Sequence, residues 1–217
     1  MSDPMDTSEN PFASPRTPHS IVPAGEPRVV PLGWISLAGL VVGGIAFLVA
    51  MRLVPNSMPT AGAHDLRLAN NLGFIYPPLV GIWAGWVRRS IPWAAFGVFS
   101  GLVIGAAYYA LCGYNFLTVM VGFPCLLGGC TSVLLGTKHD SWVEGIPQRF
   151  LKGLAAGFAL GFVYMFVLNV MAAPGLPSLE AYRDMMWQAG TIAMMTASGV
   201  YFVLFHWSAG LWDRGEH

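Results

Sequence analysis

Charge is what this sequence has least of. Asp, Glu, Lys and Arg together make up 10% of its 217 residues and balance to a formal net charge of zero, where a soluble domain carries about a quarter of its residues charged. No cluster of Lys and Arg exists to neutralise phosphates, which argues against an electrostatic nucleic-acid surface. Cysteine is scarce as well. Cys112, Cys125 and Cys130 are odd in number and lie in or beside apolar segments, so they describe neither a disulfide framework nor paired Cys-x-x-Cys zinc ligands. Small buried side chains are their expected role, and Cys125 and Cys130, on different sides of a helix, do not read as a redox pair. Walker-type phosphate loops, His-Glu-x-x-His and paired-carboxylate patterns are missing too. Above all, no Asp or Glu falls inside any long apolar segment. Proton relays, cation-driven carriers and di-metal sites place carboxylates at membrane depth, so those mechanisms are disfavoured and no cofactor is expected.

What the chain does have is apolar sequence: 55% hydrophobic residues and a mean hydropathy of +0.57, values that make a bilayer its solvent. A membrane-crossing helix takes about 20 apolar residues, and hydropathy yields six candidate spans at about 32–52, 69–87, 92–112, 116–136, 149–172 and 187–211. The expected fold class is an all-α integral membrane protein, a six-transmembrane-helix bundle over residues 31–212, flanked by tails at 1–30 and 213–217. Between spans one and two, Asp65 is placed as an N-cap. Between spans five and six, Pro177 to Met186 reads as a short interfacial helix capped by Ser178.

The first tail is rich in Pro, Ser, Thr and acidic residues with no apolar period, too polar to offset the entropy of ordering. It lacks the basic start and apolar core of a cleavable signal peptide. Within it, Asn10-Pro11-Phe12-Ala13-Ser14-Pro15 resembles the Asn-Pro-Tyr-Ala-Ser-Pro opening of many planctomycete proteins, with Phe12 where tyrosine is usual. The resemblance covers six residues and implies a bacterial origin, hence the inner (cytoplasmic) membrane.

Orientation follows from basic residues. With both termini cytoplasmic, Arg16, Arg28, Arg88, Arg89, Lys138, Arg149, Lys152 and Arg214 fall inside, against Arg52, Arg67 and Arg183 outside. Trp34, Trp86, Trp93 and Trp212 then mark the inner interface and Trp187 the outer one.

Two stretches repeat. Gly97, Gly101 and Gly105 recur every four residues before Tyr108, as do Gly153, Gly157 and Gly161 before Tyr164. Upstream, Tyr76-Pro77-Pro78-Leu79-Val80-Gly81 aligns without a gap with Phe123-Pro124-Cys125-Leu126-Leu127-Gly128, and Ile91-Pro92 is echoed by Ile146-Pro147. Spans two and three thus read as duplicated in spans four and five, in parallel orientation. Small-residue stripes let helix backbones approach closely. Packing of span three against span five is their expected use, with self-association or a contact to another membrane protein as the alternative.

Two polar layers remain as candidate sites. Asn71, Tyr76, Tyr108, Tyr109, Thr118, Tyr164 and Asn169 gather in the outer half, beside Pro77, Pro78 and Pro124, whose missing N–H groups kink the helices and free backbone carbonyls. Pro-interrupted helices at matched positions of two repeats point to a substrate site; the plainer reading is bent helices with tyrosines anchored at the interface. Deeper in, His206 is level with Trp83, Cys130, Thr131 and Ser132. A lone histidine there reads as a hydrogen-bonded packing residue ahead of a metal or haem ligand. With no nucleophile–base pair or metal cluster, the expected function is that of a non-enzymatic membrane subunit, scaffold or assembly partner. The alternative is a small channel or carrier for an uncharged or weakly polar solute.

Overall fold

The computed structural model describes residues 28, 30–87, 89, 91–112, 122–135, 142–172 and 178–208, and among them all regular structure is helical. Seven helices follow one another: α1 (Leu32–Arg52), α2 (Ala61–Val87), α3 (Ile91–Cys112), α4 (Phe123–Leu135), α5 (Trp142–Met171), α6 (Leu179–Met185) and α7 (Thr191–Ser208). A π turn, Met186–Gly190, joins the last two. Among the described residues, three stretches are long and apolar enough to cross a membrane: Leu32–Arg52, Ile146–Met171 and Leu179–Ser208. Large apolar side chains such as Phe99, Leu151, Phe162 and Val170 point outward, a surface suited to lipid and a liability in water. The tail hexapeptide, Thr118 and the C-terminal segment lie outside the described residues.

Helix boundaries differ from expectation where a polar turn extends an apolar span. α2 begins at Ala61 because Thr60 caps it, its Oγ1 accepting from the Ala63 N–H at 3.2 Å. Asp65 is therefore inside the helix rather than its N-cap. Ser178 does cap α6, accepting from the Ala181 N–H at 3.1 Å. That helix is not a separate interfacial element, however, since it runs through the π turn directly into α7. A π turn inserts an extra residue and so re-phases the face of α6 by about 100° relative to α7, which turns Tyr182 and Arg183 toward the α1–α2 end of the bundle. The α2–α3 link is three residues long, and Arg89 takes a left-handed φ of 51° within it.

α7 packs between α1 and α5; α2 packs on α1 and α3; α4 packs on α5 and touches α2, α3 and α7. Small residues set each of the close approaches. On α1, a Cβ at Gly39 would fall 2.9 Å from Gly199 Cα, and Gly43 meets Ser198 and Met194 of α7. On α3, a Cβ at Gly97 would lie 2.6 Å from Gly81 Cα and one at Gly101 2.7 Å from Pro78 N, with Gly105 set against Gly73 O. On α5, Gly153 abuts Gly128 and Ser132, and Gly157 abuts Pro124 and Cys125 of α4. Gly161 is buried one turn further along.

The two glycine stripes are thus used inside the α2–α3 and α4–α5 hairpins. They do not bring α3 and α5 together, as the sequence led one to expect. The physical reason lies on the partner helices: Gly73, Gly81 and Gly85 of α2 and Gly128 of α4 supply the matching hollows, and two small-residue faces approach more closely than one small face can approach a bulky one.

Candidate functional site

Along the buried face of α7, four polar side chains meet partners from α2 and α4. Ser198, Tyr201, Phe205 and Ser208 follow the three- and four-residue spacing of one helix face, with His206 at its edge. Tyr76 OH and Ser198 Oγ are 2.8 Å apart. Tyr201 OH stands 3.1 Å from Thr131 Oγ1. Because the Thr131 hydroxyl donates to Leu127 O at 2.6 Å, Tyr201 is the donor of that pair. Trp83 Nε1 donates to His206 Nε2 at 2.8 Å, which puts the imidazole proton on Nδ1. Ser132 Oγ and Ser208 Oγ are 2.6 Å apart, and since Ser208 donates to Phe205 O, Ser132 donates to Ser208. Aromatic rings fill between the rungs: Tyr76 with Tyr201 at 5.9 Å, and Trp83 with Phe202 at 5.7 Å. The ladder pins α2, α4 and α7 in one register, each donor meeting an acceptor as a low-dielectric interior requires.

A second polar cluster closes the bundle end formed by the α1–α2 loop and α6. Tyr182 OH donates to both carboxylate oxygens of Asp65, each at 2.6 Å, and His64 Nδ1 stands 3.4 Å from Asp65 Oδ1. Asp65 precedes the expected span, and burial pushes its carboxyl above the usual carboxylate range against the opposing pull of Tyr182 and His64. Arg183 donates to Asn56 O, and the Arg52 guanidinium sits 5.5 Å from the Trp187 ring centroid. Between them is a cavity of about 390 Å³ lined by Arg52, Asn56, His64, Arg183 and Trp187 among others. Among the described residues, two buried side-chain polar atoms have no hydrogen-bond partner: Tyr164 OH and Asn70 Oδ1.

The expected outer layer does not converge on one point. Tyr76 belongs to the ladder. Asn71 donates to Ala50 O of α1 at 3.0 Å, whereas Asn169 is exposed and donates to Met165 O of its own helix at 2.7 Å. Tyr164 is buried beside Phe47, ring centroids 6.4 Å apart. Tyr108 and Tyr109 are in α3, but their side chains lie outside the described residues, as does Thr118. Pro77 and Pro78 are inside an unbroken α2. The Gly73 carbonyl that Pro77 deprives of a helical partner faces Gly105, where a Cβ would fall 2.5 Å from the oxygen. A Cα–H of Gly105 therefore points at it, a weak but recurrent contact. Pro124 is the second residue of α4, which follows directly on the π-helical Gly122; the residues before Gly122 lie outside the described ones.

His206 meets Trp83, the residue placed at its depth from sequence, and is hydrogen-bonded in the packed interior. Among the described residues no group of three His, Cys, Asp or Glu is placed to hold a metal ion. Sequence reasoning missed Ser198, Tyr201 and Ser208, whose signal was a regular polar period within an apolar span. It also missed the Asp65–Tyr182 bond, since reading Asp65 as a cap had already accounted for its carboxylate. A scan of protein-family models, of curated proteins and of solved structures finds no match to this chain.

Proposed function

We propose that this chain is a six-span protein of a bacterial inner membrane, with both termini in the cytoplasm, that serves as a non-enzymatic subunit or assembly partner of another membrane protein. One observation carries the reading: the polar side chains of the ladder bond to one another across helices. A solute path would need such groups to face a cavity, whereas mutual pairing makes them a fixture for helix register.

The two hairpins are further proposed to descend from one duplicated unit. Supporting this, the aligned residues make equivalent contacts, Gly81 on Gly97 as Gly128 on Gly153, and Pro77 and Pro78 on Gly101 as Pro124 and Cys125 on Gly157. With the glycines enclosed in these hairpins, another face must meet the partner. On α5, Phe158, Phe162 and Phe166 stack at 6.1 and 6.4 Å along an exposed stripe, and aromatic anchors of this kind dominate interface energetics.

The test is twofold. Solubilised in mild detergent, the chain should co-purify with a second membrane protein at fixed stoichiometry, lost in Phe162→Ala/Phe166→Ala while thermal stability is kept. Reconstituted alone, it should give no flux of glycerol, urea or sugars above protein-free liposomes. Solute flux from the lone chain, with no stoichiometric companion, would overturn the proposal.

A second reading, a carrier for a weakly polar solute, is favoured by one feature, the unpartnered Tyr164 OH and Asn70 Oδ1. On that reading flux is present and falls in Tyr164→Phe.

A further inference from the structure

Where the N-terminal segment meets the bundle, two grooves lie on either side of Trp86. The larger, about 670 Å³, runs along α1 beside α2 and is walled by Trp34, Leu37, Val41 and Trp83. The smaller, about 490 Å³, is lined by Ile82, Gly85, Ile91 and Ala94. Arg28 and Trp86 line both, and Arg89 lines the second. Among the described residues no carboxylate lines either groove.

Arg28 is held in place. Its backbone N–H donates to Val87 O at 2.8 Å, and its guanidinium lies 4.3 Å from the Trp86 ring centroid, within cation–π range. Trp86 in turn stacks on Trp83 at 5.0 Å, and Trp83 is fixed by its bond to His206. The cation therefore rests on a column of side chains anchored in the core. Arg89, exposed on the α2–α3 link, adds a second positive charge at the same mouth.

The dimensions select the occupant. The larger groove follows α1 from Pro31 to Val42, which at the helical rise is about 16 Å, roughly half of a 30 Å hydrocarbon core. An apolar channel one leaflet deep, beginning at Arg28 and flanked by tryptophans, with Arg89 lining the adjoining groove, matches a lipid in charge and length. Basic pockets at helix ends recognise anionic headgroups, and a planar guanidinium presents its donors to phosphate as a fork.

We infer that Arg28 and Arg89 bind the phosphate of one anionic phospholipid, whose acyl chains lie in the two grooves on either side of Trp86. The site rests on α1 crossing the membrane and is independent of whether the chain is an assembly partner or a carrier.

The test uses the full chain, delipidated in neutral detergent and titrated with dioleoyl-phosphatidylglycerol or dioleoyl-phosphatidylcholine under native mass spectrometry. One phosphatidylglycerol should be retained at least tenfold more tightly than phosphatidylcholine. Arg28→Gln/Arg89→Gln should bring the two lipids level, and Lys152→Gln should change nothing. Ala38→Trp, which fills the larger groove, should weaken retention of both, with helix content by circular dichroism checking the fold of each variant. Equal retention by the wild type marks the lipid as annular only and overturns the site. So does a folded double variant that keeps its preference, or displacement of the lipid by inorganic phosphate alone. If the double variant does not fold, the wild-type ratio and Ala38→Trp decide.

Discussion

Tyr76 and Ser198 are 122 positions apart in the chain and 2.8 Å apart in the fold, both buried. Interhelical hydrogen bonds in membrane proteins are worth about 0.6 kcal/mol on average and seldom exceed about 1.7, so this pair contributes more to register than to stability. Removing one partner is a different matter, since a buried hydroxyl left alone costs about 1–3 kcal/mol. Tyr76→Phe and Ser198→Ala should each destabilise by that order, and the double variant by less than their sum. Denaturant unfolding in mixed micelles measures all three; strict additivity would mean the two hydroxyls do not interact. At this scale the sequence was half legible. Tyr76 and His206 stood out because a phenol and an imidazole are rare in an apolar span. Ser198 did not, because serine is an ordinary small residue at helix contacts. Nothing local announces that a tyrosine on α2 and a serine on α7 meet, since that depends on α1 folding back to bring both to the same side.

Between helices, close approach rather than side-chain volume decides what is tolerated. A Cβ at Gly101 would press on the Pro77–Pro78 backbone, whereas one at Gly62, in the first turn of α2, meets nothing within 4 Å. Alanine improves on glycine in a helix by about 0.5–1 kcal/mol. Gly62→Ala should therefore raise stability slightly, while Gly101→Ala and Gly157→Ala should lower it by forcing a hairpin apart, the latter against Pro124 O. Thermal unfolding of the three variants gives the signs. If Gly101→Leu left a folded monomer in place of an oligomer, the stripe would be a subunit interface, contrary to its position inside α2–α3. The glycine period was plain in the sequence, and so was the helical character of these segments. The partner of each stripe was not, because any small-residue face can serve any other; only the short α2–α3 link, with Arg89 in a left-handed turn, forces α3 to pack on α2.

For the whole molecule, the number of membrane crossings is the quantity most worth measuring. Among the described residues three stretches are long and apolar enough by composition, yet α3 spans 22 residues, about 33 Å at the helical rise, enough for a hydrocarbon core of about 30 Å. α2 carries Asp65 and Arg67 in its first turns and has no further charge to Val87, again about 30 Å from Leu68 onward. Because the two are antiparallel and joined by three residues, they cross together or not at all. Six crossings place Ser57 and Glu180 outside and Arg89 and Gln148 inside, with the basic residues concentrated in the cytoplasm. Three crossings by α1, α5 and the α6–α7 helix would instead leave Ser57, Arg89 and Gln148 all outside. With Cys112, Cys125 and Cys130 replaced, a membrane-impermeant maleimide applied to intact cells should label Ser57→Cys and Glu180→Cys. Arg89→Cys and Gln148→Cys should react only after permeabilisation. Labelling of Ser57→Cys and Arg89→Cys alike in intact cells would sink the six-span arrangement.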